Sequence, residues 1–122
     1  MILVDTSVWI DHLHAPEPTL VRALLEDEVG QHPLVLEELA MGRSAQRDDV
    51  LTGLGLLRSF PRLDHDEVLL FVADQRLWGR GLSTVDAHLL GSLRLVPGSR
   101  LWTRDKRMLR AAVDLGQPLV EA

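Results

Sequence analysis

The chain has 122 residues, 46% apolar and 25% charged, the size and balance of one globular domain with a core of its own. It contains no cysteine, which excludes disulfides, thiolate zinc sites and cysteine nucleophiles, and is compatible with a reducing cytoplasm. A formal net charge of −5 argues against a generic basic nucleic-acid binder. No signal-peptide pattern is visible, and no stretch approaches the roughly 20 apolar residues needed to span a bilayer. The expectation is a single domain over 1–122, cytoplasmic and without a membrane segment.

Taken in chain order, Met1–Val4 predicts a short buried strand, too uniformly apolar for an exposed one. Thr6 or Ser7 is the expected cap of a helix through about His12. "APEP" breaks the chain, and Thr19 is the expected cap of a second helix bearing Leu20, Ala23 and Leu24, closed by Gly30. "VGQH" is a weak strand signal. Pro33 suits a first helical position, and "LVLEELAM" continues that helix to Gly42. "RSAQRDDV" is polar, a loop or helix start, before Val50, Leu54 and Leu57 at helical spacing. Pro61 interrupts, and "RLD" predicts a short strand. Asp64 and Glu67 have capping-box spacing ahead of a helix through about Trp78, ended by Gly79 and Gly81. Ser83 and Asp86 open another helix, with Val85, Leu89, Leu90 and Leu93. "VPGS" is a turn, "RLWT" a clear strand, and a helix with Met108, Leu109, Ala112 and Val113 follows to Gly116. "PLVEA" predicts a last edge strand. Strands alternating with helices indicate the α/β class, with a mainly parallel sheet covered on both faces.

In such sheets ligands gather beyond the carboxyl ends of the strands. "ILVD" and "LWTRD" each run from an apolar strand into an aspartate at that end, Asp5 and Asp105. Glu38 sits inside a mostly apolar helix, and Asp86 in the first turn of another. Each acid alone fits a bland role: Asp5 and Asp105 beside a helix N-terminus, Asp86 in a capping box, Glu37 and Glu38 on a solvated helix edge. Four carboxylates in one cleft would instead repel strongly without a cation, and Mg²⁺ or Mn²⁺ is the natural partner for oxygen-only ligands.

"ILVDTSVWID", "PLVLEELAMG", "GLSTVDAHLL" and "LWTRDKRML", in that order and spacing, resemble a PIN-domain protein, and more narrowly the VapC-type ribonuclease toxins of type II toxin–antitoxin systems. The resemblance covers nearly the whole chain. It implies a three-layer α/β/α fold with a central, mainly parallel sheet. It also implies acids that bind Mg²⁺ or Mn²⁺ for RNA cleavage, here Asp5, Glu38, Asp86 and Asp105. Glu38 is preferred to Glu37 because the family's glutamate precedes a leucine and stands four residues before a glycine, here Leu39 and Gly42. Thr6 and Thr103 match supporting polar positions, where they would hold a carboxylate or a water. The implied activity is an endoribonuclease in which water, activated by the ion, attacks phosphorus and leaves a 5′-phosphate and a 3′-hydroxyl. The resemblance further implies inhibition by a small VapB-type antitoxin and a homodimer.

Bound divalent ions would offset much of the negative charge, so RNA needs only a local basic patch. Arg104, Lys106, Arg107 and Arg110 surround Asp105, and Arg43 follows the Glu38 helix; RNA contact and a merely solvated helix face are both open readings of them. His12, His14, His32, His65 and His88 match no metal motif and are expected in surface or packing roles. Trp9, Trp78 and Trp102 are expected in the core, with base stacking a minor possibility for Trp102. A receiver-like Mg²⁺-binding signalling domain is the competing reading, but it wants paired acids after the first strand and a lysine after the fifth, and Asp5 stands alone. A non-catalytic RNA or protein interaction module is the other.

Overall fold

The computed structural model describes residues 1–121. In chain order its elements are β1 (Ile2–Val4), α1 (Thr6–His14), α2 (Pro18–Leu25), β2 (Val29–Gly30), α3 (Pro33–Ala40), α4 (Arg47–Gly55), α5 (His65–Asp74), α6 (Thr84–Arg94), β3 (Arg100–Trp102) and α7 (Lys106–Asp114). The strands run parallel in the order β2-β1-β3, so β1 is central and buried along its whole length. That accounts for the unbroken "ILV": a strand covered on both faces has no polar side to show. Helices clothe the sheet in a three-layer α/β/α arrangement.

The core is continuous through all layers. Leu3 and Val4 of β1, Leu101 of β3, Leu20 of α2, Leu89 and Leu90 of α6 and Met108 of α7 are essentially inaccessible to solvent. Each such side chain stabilises the fold by about 1.5–3 kcal/mol relative to an exposed one. Gly30 is required by packing: a Cβ there would lie 2.6 Å from the Phe60 ring and 2.7 Å from the Met1 sulfur.

Both expected capping boxes form, Asp64 with Glu67 and Ser83 with Asp86, each with its two reciprocal hydrogen bonds. Several local expectations need correction. The cap of α1 is Asp5, not Thr6 or Ser7, and α2 begins at Pro18 behind Glu17, not at Thr19. Proline at the first helical position fixes φ and forgoes an amide that the helix leaves unpaired anyway. The helix expected to reach Trp78 stops at Asp74, because Arg76 adopts a left-handed conformation (φ 55°) and the Leu77 amide returns to the Val72 carbonyl 3.0 Å away. This closing turn needs no glycine, so Gly79 and Gly81 belong to the following loop. Trp78 is consequently 63% exposed, while Trp9 and Trp102 are core residues. "RLD" forms no strand; the β-bridge there is Gln31 with Ser59. "PLVEA" contributes one parallel bridge, Leu119 to Leu101, rather than a strand, and its Ala122 lies outside the described residues.

Candidate active site

The register of β1 and β3 builds the site. Val4 pairs with Trp102, and the Asp5 amide donates to the Trp102 carbonyl at 2.8 Å, so the chain leaves both strands at one level with Thr103 beside Asp5. The Thr103 hydroxyl donates to Asp5 Oδ2 at 2.6 Å and accepts from the Asp105 amide at 3.1 Å. The Thr6 amide donates to Asp5 Oδ1 at 2.8 Å. Asp5 is therefore held at both oxygens and is only 7% exposed.

Burial is the largest influence on its charge and pushes its pKa above the ordinary carboxyl value; the Thr103 hydroxyl and the Thr6 amide pull the other way, and the negative charges of Asp86 and Asp105 add to the rise. Asp105 caps α7, its Oδ1 accepting from the amides of Arg107 (2.8 Å) and Met108 (3.1 Å). Asp86 Oδ2 accepts from the Ser83 amide at 3.0 Å. Glu38, on α3, accepts the Thr6 hydroxyl on Oε1 at 2.6 Å. Glu37 is also exposed, but Glu38 is the one that reaches α1.

The structure thus brings Asp86 and Asp105 each within electrostatic reach of Asp5, and Thr6 ties Glu38 to Asp5. It does not gather them: among the described residues, no three His, Asp or Glu side chains stand close enough to hold an ion as they lie. The donor set fits a hard cation in chemistry. Among the described residues, Asp86 Oδ1, Asp105 Oδ2 and Glu38 Oε2 accept no hydrogen bond, and Glu38 and Asp105 are exposed side chains that can rotate.

The basic residues divide. Arg104 is committed to Asp11 and to Glu17, the latter at 2.9 Å, so it braces the β3–α7 loop against α1 and α2. Lys106 and Arg110 are exposed and make no ion pair among the described residues, and neither does Arg107, which lies against Gly81. Arg43 lines a groove of about 280 Å³ between α1, α3 and α4, whose walls include Ile10, Leu13, Leu39, Val50 and Leu51 and whose rim includes Glu38. A larger cavity, about 360 Å³, opens at the amino ends of β1 and β3 near Ile2 and Arg100. It contains none of the four acids, and the carboxyl-end position of Asp5 decides against it as the active site.

Sequence reasoning missed the brace formed by Asp11 and Glu17. It also gave His32 no more than a surface or packing role. His32 is fully buried; its Nδ1 accepts the Leu34 amide at 3.0 Å and its Nε2 lies 2.9 Å from the Ser92 hydroxyl. A histidine directly before a proline that opens a helix was the available signal, since such a residue stands at the cap position.

Residues 2–114 match the PIN domain family profile. The chain is 60% identical over 121 residues to proteins named Ribonuclease VapC32 from two strains of Mycobacterium tuberculosis, CDC 1551 / Oshkosh and ATCC 25618 / H37Rv, covering 99% of this chain and 98% of each of them. Its fold is similar to that in the crystal structure of FitAcB from Neisseria gonorrhoeae, with a TM-score of 0.61 and 22% identity over 99% of this chain and 97% of that one. With the profile match and the 60% identity both extending over nearly the whole α/β/α domain, the chain belongs to the PIN-domain family, and within it to the VapC type.

Proposed function

We propose that this protein is an endoribonuclease toxin that hydrolyses RNA phosphodiester bonds with the help of Mg²⁺ or Mn²⁺, and that Asp5, Glu38, Asp86 and Asp105 are its catalytic carboxylates. One observation carries the reading. Asp5 is a buried carboxylate held at both oxygens at the carboxyl end of the central strand, with two further aspartates close enough to raise its pKa. A carboxylate whose pKa is shifted by burial and by specific neighbouring charges is a functional-site candidate on physical grounds, and the ribonuclease name of the 60% identical relatives supports the same conclusion.

When bound, the cation supplies charge neutralisation at the phosphate and acidifies a water for attack. The chain's own residues do the rest. Thr103 fixes the Asp5 carboxylate and the start of α7 with one hydroxyl, and Thr6 fixes Asp5 by its amide and Glu38 by its hydroxyl. Lys106, Arg107 and Arg110, on the first turns of α7, draw the RNA backbone towards Asp105. Arg104 serves the fold instead, because its guanidinium is occupied.

The groove rimmed by Glu38 and Arg43 supports binding of a VapB-type antitoxin: its apolar floor suits a partner helix or strand, and its rim lies beside the proposed chemistry. A homodimer and a cytoplasmic location, with the RNA, belong to the same reading. No helix is long and apolar enough to cross a membrane among the described residues.

Purified protein should cleave RNA in Mg²⁺ or Mn²⁺, stop in EDTA and leave 5′-phosphate ends. Cleavage undiminished by EDTA refutes cation dependence. Tight RNA binding without cleavage would make the chain an interaction module.

A further inference from the structure

Two of the proposed carboxylates ride on separate helices that share one buried polar contact. His32 caps α3, which carries Glu38; Ser92 lies in α6, which carries Asp86. His32 Nδ1 accepts the Leu34 amide, so its lone pair there is used and the neutral ring carries its proton on Nε2, which donates to Ser92 Oγ at 2.9 Å. Both side chains have 0% exposure. Burial, and then the charges that His88 (when protonated) and Arg62 carry, lower the His32 pKa to about 4, so at neutral pH the ring stays neutral and keeps this donor. Along each helix the carboxylate stands six residues from the contact, about 9 Å of axial rise.

We infer that the His32–Ser92 hydrogen bond is a positioning link, which sets α3 against α6 and so sets the separation of Glu38 from Asp86 for the cation. The inference rests on the proposed function. Apolar contacts alone would allow the two helices to shift with repacking, the cost being spread over many individually weak contacts. A buried donor–acceptor pair does not, because displacement leaves both polar atoms unpaired. Neither residue touches RNA or the ion. Their effect is on how far Glu38 and Asp86 must move to share one.

The link and the cap can be separated. In His32→Asn the side-chain oxygen takes the place of Nδ1 and still caps α3, while the reach to Ser92 is lost. Ser92→Ala removes the link from the other side. Mn²⁺ binding is measured directly, by the paramagnetic resonance signal of free Mn²⁺ or by calorimetry, beside RNA cleavage against Mn²⁺ concentration. Both variants should bind Mn²⁺ about three- to tenfold more weakly, at or below the low end of what is lost when a ligand's own hydrogen-bond partner is removed. Cleavage at saturating Mn²⁺ should stay within about twofold of wild type, and the double variant should be no worse than either single one, as members of one pair must be. Leu20→Val, a core change on α2, which carries none of the four acids, should lower the unfolding midpoint without changing Mn²⁺ affinity. If Ser92→Ala and His32→Asn behave like Leu20→Val, or their effects add, the positioning role is overturned while the proposed function stands. If the wild type binds no Mn²⁺, both are overturned.

Discussion

Acidification from about pH 7.5 to pH 5 should destabilise this protein chiefly through His32, with the partly buried His88, whose pKa is also lowered, acting in the same sense. Its pKa falls from 6.5 to about 4 on folding, chiefly because burial penalises the charged ring. Between those values the unfolded chain takes up a proton that the folded chain refuses, so stability falls as pH falls. The difference corresponds to about 2 kcal/mol lost by pH 5 and about 3 kcal/mol once both states are protonated, at roughly 1.36 kcal/mol per pH unit. For a domain of this length the loss by pH 5 lowers the melting midpoint by roughly 6–10 °C. Asp5 acts in the opposite sense: its pKa is raised on folding, so its contribution to stability grows as pH falls. The assay is urea unfolding of wild type and His32→Gln at both pH values, which cancels Asp5 and every other group common to the two. The variant loses the α3 cap and starts less stable, but its pH dependence should be flatter by about 2 kcal/mol. Histidine carbon-13 NMR reads the same quantity directly. A His32 resonance titrating near 6.5, or equal pH slopes for both proteins, would refute the reasoning.

Asp5→Asn should abolish RNA cleavage, by at least about a hundredfold, yet leave the cation-free protein as stable as wild type or more so, because it removes a buried charge beside two like charges; strong destabilisation by chemical unfolding would show the carboxylate to be structural. Thr103→Val keeps the shape but takes away the hydroxyl that serves Asp5 and the Asp105 amide, and should cost about 1–3 kcal/mol by urea unfolding, with no loss marking the contact as dispensable. Gly30→Ala drives a methyl into the rigid Phe60 ring and should cost about 1–3 kcal/mol in the same assay. Arg107→Ala and Arg110→Ala should each reduce the salt dependence of RNA binding by about one phosphate contact, and Arg104→Ala by much less; a flat response to all of them would make the α7 face merely solvating.

What was legible in the sequence was what depends on neighbours along the chain. An apolar run ending in an acid marks a buried strand reaching the sheet's carboxyl edge, and Asp5 and Asp105 both stand there. Serine or aspartate three residues before an acid marks a capping box, and Ser83–Asp86 and Asp64–Glu67 form them. What stayed hidden depends on partners far away in the chain. Arg104 is neutralised by Asp11 and Glu17, 93 and 87 residues off, so a cation that looked free in "TRDKR" is a brace. His32 finds Ser92 60 residues on. The end of α5 escaped for a different reason: Arg76 takes a left-handed conformation that glycine would usually provide, so the nearest glycines pointed to the wrong residue.

The cap reading and the site reading of the acids looked like alternatives, and the geometry removes the competition. A carboxylate has two oxygens, and a helix cap needs one. Asp86 spends Oδ2 on the Ser83 amide and Asp105 spends Oδ1 on α7, which leaves the other oxygen of each without a partner among the described residues. Capping fixes where each carboxylate stands, and it does so with amides that would otherwise be unpaired. Asp5 differs from them. It is held on both sides and buried, yet its pKa still rises, so two donors do not offset the burial and the charges beside it. A fold under selection for stability alone would gain by replacing that carboxylate with its amide. Its presence at the end of the central strand is most simply explained by a positive partner that binds there and reverses the sign of the imbalance.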